Sequence, residues 1–171
     1  MSTIYLFIME RKNKGQIICT EIDNCQIKDS TIHKILVPFD GSHYSEHAFA
    51  FALDLANHYG ANLTTLTIIN VSPSSALDLS HTTSINREKA KKMEKTFKLL
   101  KDNAKKFGVS IKTDLSVNSE VLEPILSYIS SYKIDLVVMG SRSRPGPDRY
   151  VIGSVAHGVC KNAHCPVLIV K

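Results

Sequence analysis

The stretch Lys34–Val71, "KILVPFDGSHYSEHAFAFALDLANHYGANLTTLTIINV", changes period twice, and those changes decide the fold. "KILVPFD" is a short apolar run that ends in a turn, which reads as a strand. Ala48, Ala52, Leu55 and Tyr59 then recur at helical spacing, and Gly60 is suited to the left-handed cap that ends a helix. "ANLTTLTIINV" returns to β-branched and apolar residues. Strand, helix and strand in succession predict a parallel pair joined by a right-handed crossover.

The same rhythm continues to the end of the chain. "SPSSALDLSHTTS" reads as a polar connection, followed by an amphipathic helix in "NREKAKKMEKTFKLLKDNAKKFG" with Met93, Phe97, Leu100, Ala104 and Phe107 on one face. "VSIKTDLSV" alternates as a strand near a sheet edge does. "SEVLEPILSYISSYK" predicts a helix through Val121, Ile125, Tyr128 and Tyr132, with Ser119 as its N-cap and Pro124 in its first turn. "IDLVVMG" has the run of a buried strand, "IGSVAHGVCKNA" reads as a helix, and "CPVLIVK" as a last, apolar edge strand. Five strand-helix alternations predict an α/β architecture, a doubly wound parallel sheet with helices on both faces. Residues 1–32 stand apart as an N-terminal extension: "RKNKGQ" is a polar break, and "IICTEIDNCQIKDS" offers only short, weakly alternating strand material.

Composition narrows the function classes. The chain has 171 residues, 43% hydrophobic and 22% charged, which fits one domain with an ordinary core and no bilayer span. The net charge of +5 comes largely from the lysine-rich helix. Glu88 and Lys92, and Glu94 and Lys98, are acid-before-base pairs four residues apart, so the lysines read as a solvated face. No aromatic interleaving accompanies them, and nucleic acid is not the expected partner. Four cysteines make no dense disulfide framework, and "MSTIYLFIME" lacks the basic start and cleavage site of a secretory signal. The expected location is cytoplasmic.

Ligands of doubly wound sheets bind beyond the carboxyl ends of the strands. Two glycine-containing segments fall there, "PFDGS" and "MGSRSRPGPDRYVIGSVAHGV" (Met139–Val159). Neither G-x-x-x-x-G-K-[ST] nor G-x-G-x-x-G is present. Gly140 at a strand end and Gly153-Ser154 opening a helix could cradle a phosphate on backbone N–H groups, or Gly140 could make a tight turn and Ser154 cap the helix. On spacing alone the two readings stand level. Arg142, Arg144 and Arg149 could supply charged donors, or be solvated loop residues.

Two other constellations lead to the blander reading. Asp40, Ser42 and His43 lack a nucleophile elbow, so no Ser-His hydrolase is expected. His157, Cys160 and His164 share a helical face but match no metal motif, and a Cys160 packed on the sheet with exposed histidines is expected instead. No catalytic or metal residue is assigned.

"KILVPFDGS", "DLVVMGSR" and "GSVAHGVCKNAHCPVLIVK", in that order, resemble the universal stress protein family over residues 33–171. The resemblance implies a five-stranded parallel sheet of order 3-2-1-4-5, a homodimer through the C-terminal strand, and no nucleic-acid or membrane partner. It also implies an ATP or related adenine-nucleotide site, with Mg²⁺ as companion, acting in stress response or signalling. Turnover would be at most weak ATP hydrolysis. The ATP-binding branch carries a G-x-x-G-x9-G-[ST] loop, onto which Gly140 and Gly153-Ser154 map, with Ser143 where the second glycine stands. Asp40 maps to the acidic residue beside adenine and ribose, with Pro38 and Phe39 before it, and Val71 to the position whose backbone lines the base. Met139, Val155 and Ala156 complete the wall, and Arg142 or Arg144 can compensate at the Ser143 corner. If the second glycine needs a positive φ or close phosphate approach, serine strains the loop or fills space the nucleotide should occupy, and Pro145 and Pro147 limit relief from Gly146. Two alternatives stay open: a nucleotide-free member of the fold working through protein partners, and a slow ATP hydrolase or phosphotransfer enzyme.

Overall fold

A computed structural model describes residues 16–21, 24–28, 32–71, 79–143 and 152–171. Strands β1 (Gln16–Glu21) and β2 (Asn24–Lys28) form an antiparallel pair in the segment read as weak strand material. The remaining elements are β3 (Lys34–Pro38), α1 (His43–Tyr59), β4 (Asn62–Asn70), α2 (Leu79–Lys106), β5 (Ile111–Asn118), α3 (Leu122–Tyr132), β6 (Leu136–Gly140), α4 (Ser154–Asn162) and β7 (Val167–Val170). The five strands from β3 onward make one parallel sheet in the order β5-β4-β3-β6-β7, which is 3-2-1-4-5 counted from β3. The expected doubly wound α/β sheet is what the chain forms.

Burial explains why these strands stay central. Ile35, Leu36, Val37, Val137 and Val138 are fully buried, so β3 and β6 are apolar toward both faces, as strands covered on both sides must be. Ala48, Ala52 and Phe97 close one face, and Ile125, Ile129 and Val159 the other. The two edges, β5 and β7, keep most side chains only partly covered.

The helix expected from Ala48 to Tyr59 is borne out as α1, and local expectations are corrected in α2 and α3. Helix α1 buries Phe49 and Leu53 beside Ala48 and Ala52, while Leu55 and Tyr59 are only partly covered, because the helix turns its broad alanine face onto the sheet. Helix α2 begins at Leu79, inside the stretch read as a polar connection, and ends before Phe107, which is 57% exposed because the chain has left helical geometry there. Its Glu88–Lys92 and Glu94–Lys98 pairs do not close; the ion pair among the described residues is Lys112–Asp114 on β5 at 2.7 Å. The α3 N-cap is Val121 without a side-chain bond, since Asn118 Oδ1 already accepts the Glu120 N–H at 3.1 Å and turns the chain ahead of Ser119. Among the described residues no helix is long and apolar enough to cross a membrane.

Candidate functional site

The exit from β3 is fixed by its neighbour. Phe39 donates its N–H to the Leu66 carbonyl at 2.9 Å and accepts the buried Thr67 hydroxyl at 2.7 Å. Asp40 is thereby delivered to the end of the sheet. Gly41 then adopts φ +77°, a left-handed conformation that reverses the chain into α1. Asp40 Oδ1 accepts the Ser42 N–H at 2.9 Å, and Ser42 caps α1 by accepting the Ser45 N–H at 3.2 Å. The Ser42 hydroxyl is thus engaged as a cap, and His43 packs its ring against His47 at 3.9 Å instead of against Ser42.

The exit from β6 is held in the same way. Ser141 donates to the Val170 carbonyl at 2.8 Å, and after the loop Gly153 returns to donate to the Ser141 carbonyl at 2.7 Å. Gly153 is the N-cap of α4 and offers no side-chain bond, so Ser154 is the first helical residue rather than the cap. The first N–H groups of α4, at Ser154, Val155 and Ala156, therefore have no capping side chain. Gly140 serves neither a tight turn nor a positive φ: a Cβ there would lie 2.7 Å from the Tyr44 carbonyl carbon, so it is the seat of α1 on β6.

Between these exits lies a cleft of about 350 Å³, at the point where connections leave β3 and β6 toward different faces. Pro38, Phe39, Asp40, Met139, Gly140, Arg142, Ser143, Gly153, Ser154, Val155 and Ala156 all line it. Val71 does not; its N–H is bonded to the Asn118 carbonyl at 2.9 Å. The sequence reading missed Ser42, Ser45, Ile68, Val121 and Ile125. The two serines carry a local signal, since they follow "PFDG" directly, whereas Ile68, Val121 and Ile125 arrive from β4 and α3 by tertiary packing. Arg144, Gly146 and Arg149, with Pro145 and Pro147, lie outside the described residues.

The electrostatics centre on Asp40. Partial withdrawal from water pushes its carboxyl up, but hydrogen bonds from Ser143, Ser42 and Ser45 outweigh that and hold it below the ordinary carboxylate value. Ser143, the residue in the second-glycine position, lines the same cleft as Asp40. Its φ is not positive, so the backbone strain expected of a serine there does not arise. The Arg142 guanidinium stands over the Tyr44 ring at 5.4 Å. A carboxylate, a guanidinium and uncapped helix N–H groups around an apolar floor suit a ligand with a polar, anionic end and a flat apolar body.

The final helix does not gather a metal set. His157, Cys160 and His164 are all exposed, and His164 lies past the end of α4, off its face. Cys160 is therefore not packed on the sheet; Ala156, Gly158 and Val159 occupy that face. No group of three metal-ligating side chains comes together among the described residues.

The sequence model of the universal stress protein family matches residues 31–171. The chain belongs to that family. Universal stress protein MJ0531 of Methanocaldococcus jannaschii is 35% identical over 139 residues, 81% of each chain. Among solved structures, universal stress protein UspA from Lactobacillus plantarum superposes with a TM-score of 0.74 at 24% identity, covering 83% of this chain and 99% of that one. A universal stress protein from Archaeoglobus fulgidus in complex with dAMP superposes with a TM-score of 0.58 at 19% identity, over 84% of this chain and all of that one. These likenesses support the universal stress fold described above.

Proposed function

We propose that the cleft binds an adenine nucleotide, ATP or a close relative with Mg²⁺ as its companion, and that this universal stress protein uses the bound nucleotide as a signal or stability switch. The observation that carries the reading is the convergence of Asp40, Arg142 and the uncapped start of α4 on one cleft at the switch point of the sheet. The volume of about 350 Å³ falls within the range of about 300–1,000 Å³ usual for small-molecule sites. Asp40 takes the ribose or base edge, Met139, Val155 and Ala156 wall the base, and Arg142 with the Ser154 end of α4 takes phosphate. The dAMP complex of the archaeal family member supports this class of ligand.

A binding role fits the residues better than turnover. The charged lining residues among those described are Asp40 and Arg142, and Asp40 is engaged by serines that keep it ionised and hydrogen-bonded rather than poised to accept a proton. Strand β7 is an edge with partly exposed apolar residues, and pairing through it in a homodimer would cover that edge. A second reading, a nucleotide-free member acting through protein partners, rests on Ser143 lining the cleft where the ATP-binding loop pattern has its second glycine.

Denaturing the purified protein and chromatographing the supernatant separates the two. Released adenine nucleotide, or ATP binding that Asp40→Ala weakens with little change in melting temperature, is the expected result. A large stability loss with unaltered binding would make Asp40 a structural turn residue. Phosphate release at steady turnover with excess Mg²⁺ would replace the binding role with an enzymatic one.

A further inference from the structure

The packing of α1 on β6 connects the loop's first glycine to the arginine of the cleft. With no side chain at Gly140, the backbone of Tyr44 closes onto β6 so far that a Cβ there would lie 2.7 Å from its carbonyl carbon and 2.8 Å from its carbonyl oxygen. That approach carries the half-buried Tyr44 ring to the point where Arg142 leaves β6, and the guanidinium carbon stands 5.4 Å from the ring centroid. From the other side Gly153 closes on the same residue: a Cβ there would meet Arg142 Cα at 3.4 Å and Cβ at 3.6 Å. Arg142 is therefore held between the first turn of α1 and the start of α4, with its side chain in the cleft lining. An aromatic ring restrains a guanidinium through its flat face and does not compete for the N–H donors in its plane, which are the donors a phosphate takes in pairs.

Resting on the adenine-nucleotide reading above, we infer that Tyr44 is a positioning residue for the phosphate: its ring orients Arg142, and Gly140 acts by seating Tyr44 rather than by approaching the ligand. Tyr44 then sets the affinity for the phosphate group and leaves that for the nucleoside unchanged, because it is not among the residues lining the cleft while Arg142 is. The phenol hydroxyl has no part in this, so phenylalanine serves as well as tyrosine.

Calorimetric titration of adenosine and AMP into the full chain and its Tyr44→Phe, Tyr44→Leu and Arg142→Gln variants tests the inference. The wild-type protein should bind AMP more tightly than adenosine. Tyr44→Leu should cut that ratio by about three- to tenfold, with adenosine affinity held within about twofold, and Tyr44→Phe should keep the ratio. Arg142→Gln should cut the ratio at least as far, and it keeps the test decisive if Tyr44→Leu does not fold. An unchanged ratio in Tyr44→Leu or Arg142→Gln, or an equal loss for both ligands, would overturn the inference and leave the nucleotide reading standing. A wild-type protein that binds neither ligand would overturn both.

Discussion

Replacing Gly140 by alanine adds one methyl group at the tightest backbone contact between α1 and the sheet. The new Cβ would lie 2.7–2.8 Å from the carbonyl carbon, carbonyl oxygen and Cβ of Tyr44, where ordinary contact begins at 3.4 Å. Two of those atoms are backbone, so rotation of a side chain cannot relieve the clash. The first turn of α1 must instead back away from β6 by roughly 0.7 Å, and it carries the Ser42 cap and the Tyr44 ring with it. Overpacking of this kind costs about 1–3 kcal/mol, and a domain of this size loses about 2–4 °C per kcal/mol. Thermal unfolding followed by circular dichroism should therefore show Gly140→Ala melting about 2–12 °C below the wild-type protein. Gly158→Ala is the control: its Cβ would meet only the branched end of the half-buried Leu122 side chain, at 2.6 Å, which can turn aside. Its loss should be the smaller of the two. A Gly140→Ala protein that melts with the wild type, or above Gly158→Ala, would refute the argument that this glycine exists for packing.

Three further outcomes are expected. Asp40 has a depressed carboxyl pKa, so its hydrogen bonds contribute a small stability above the ordinary carboxylate value near 3.9 and lose it as pH falls through the lower folded value; the small gap in urea midpoint between wild type and Asp40→Asn should be largest at neutral pH and shrink below about pH 4, and a gap independent of pH would contradict this. Burial, then the Asp114 hydrogen bond at 2.5 Å, push the Tyr128 phenol up to about 12, so spectroscopic titration should show one late tyrosine that disappears in Tyr128→Phe, and stability should fall between the ordinary value of 10 and that pH. If β7 pairs across a two-fold axis, light scattering at micromolar concentration should give twice the 19.0 kDa chain mass, and the monomer mass would contradict it.

What could be read in the residues follows the physics of each signal. β3 and β6 were legible because both of their faces are covered, which makes "ILV" and "LVVM" continuous apolar runs. The sheet order was not legible from periodicity; it came with the family's ordered motifs. Most of the cleft was legible for the same reason, since its lining is concentrated in "PFD" and in the two ends of the Met139–Val159 stretch. Val121 and Ile125 were read only as the apolar face of a helix, because nothing local marks which part of that face meets a cleft. The part played by Gly140 was hidden more deeply. A glycine beside a loop looks the same whether it admits a phosphate or a neighbouring helix, and only the Tyr44 backbone, 2.7 Å from where a Cβ would stand, tells the two apart. Ser143 likewise looked like a source of strain, yet its φ is not positive and it lines the cleft beside Asp40.

The central claim, that the cleft between β3 and β6 holds an adenine nucleotide, is tested most directly by calorimetric titration of ATP into the wild-type, Ser143→Gly and Gly153→Val proteins. A Cβ at Gly153 would already press on the Ser141 carbonyl at 3.3 Å and Arg142 Cα at 3.4 Å, and the branched side chain would project at the start of α4. Saturable binding by the wild type, tighter binding by Ser143→Gly, which removes a side chain from the cleft lining, and no binding by a folded Gly153→Val protein are the predicted results. Equal affinities for all three would contradict the claim and leave the stretch after β6 as a connecting loop.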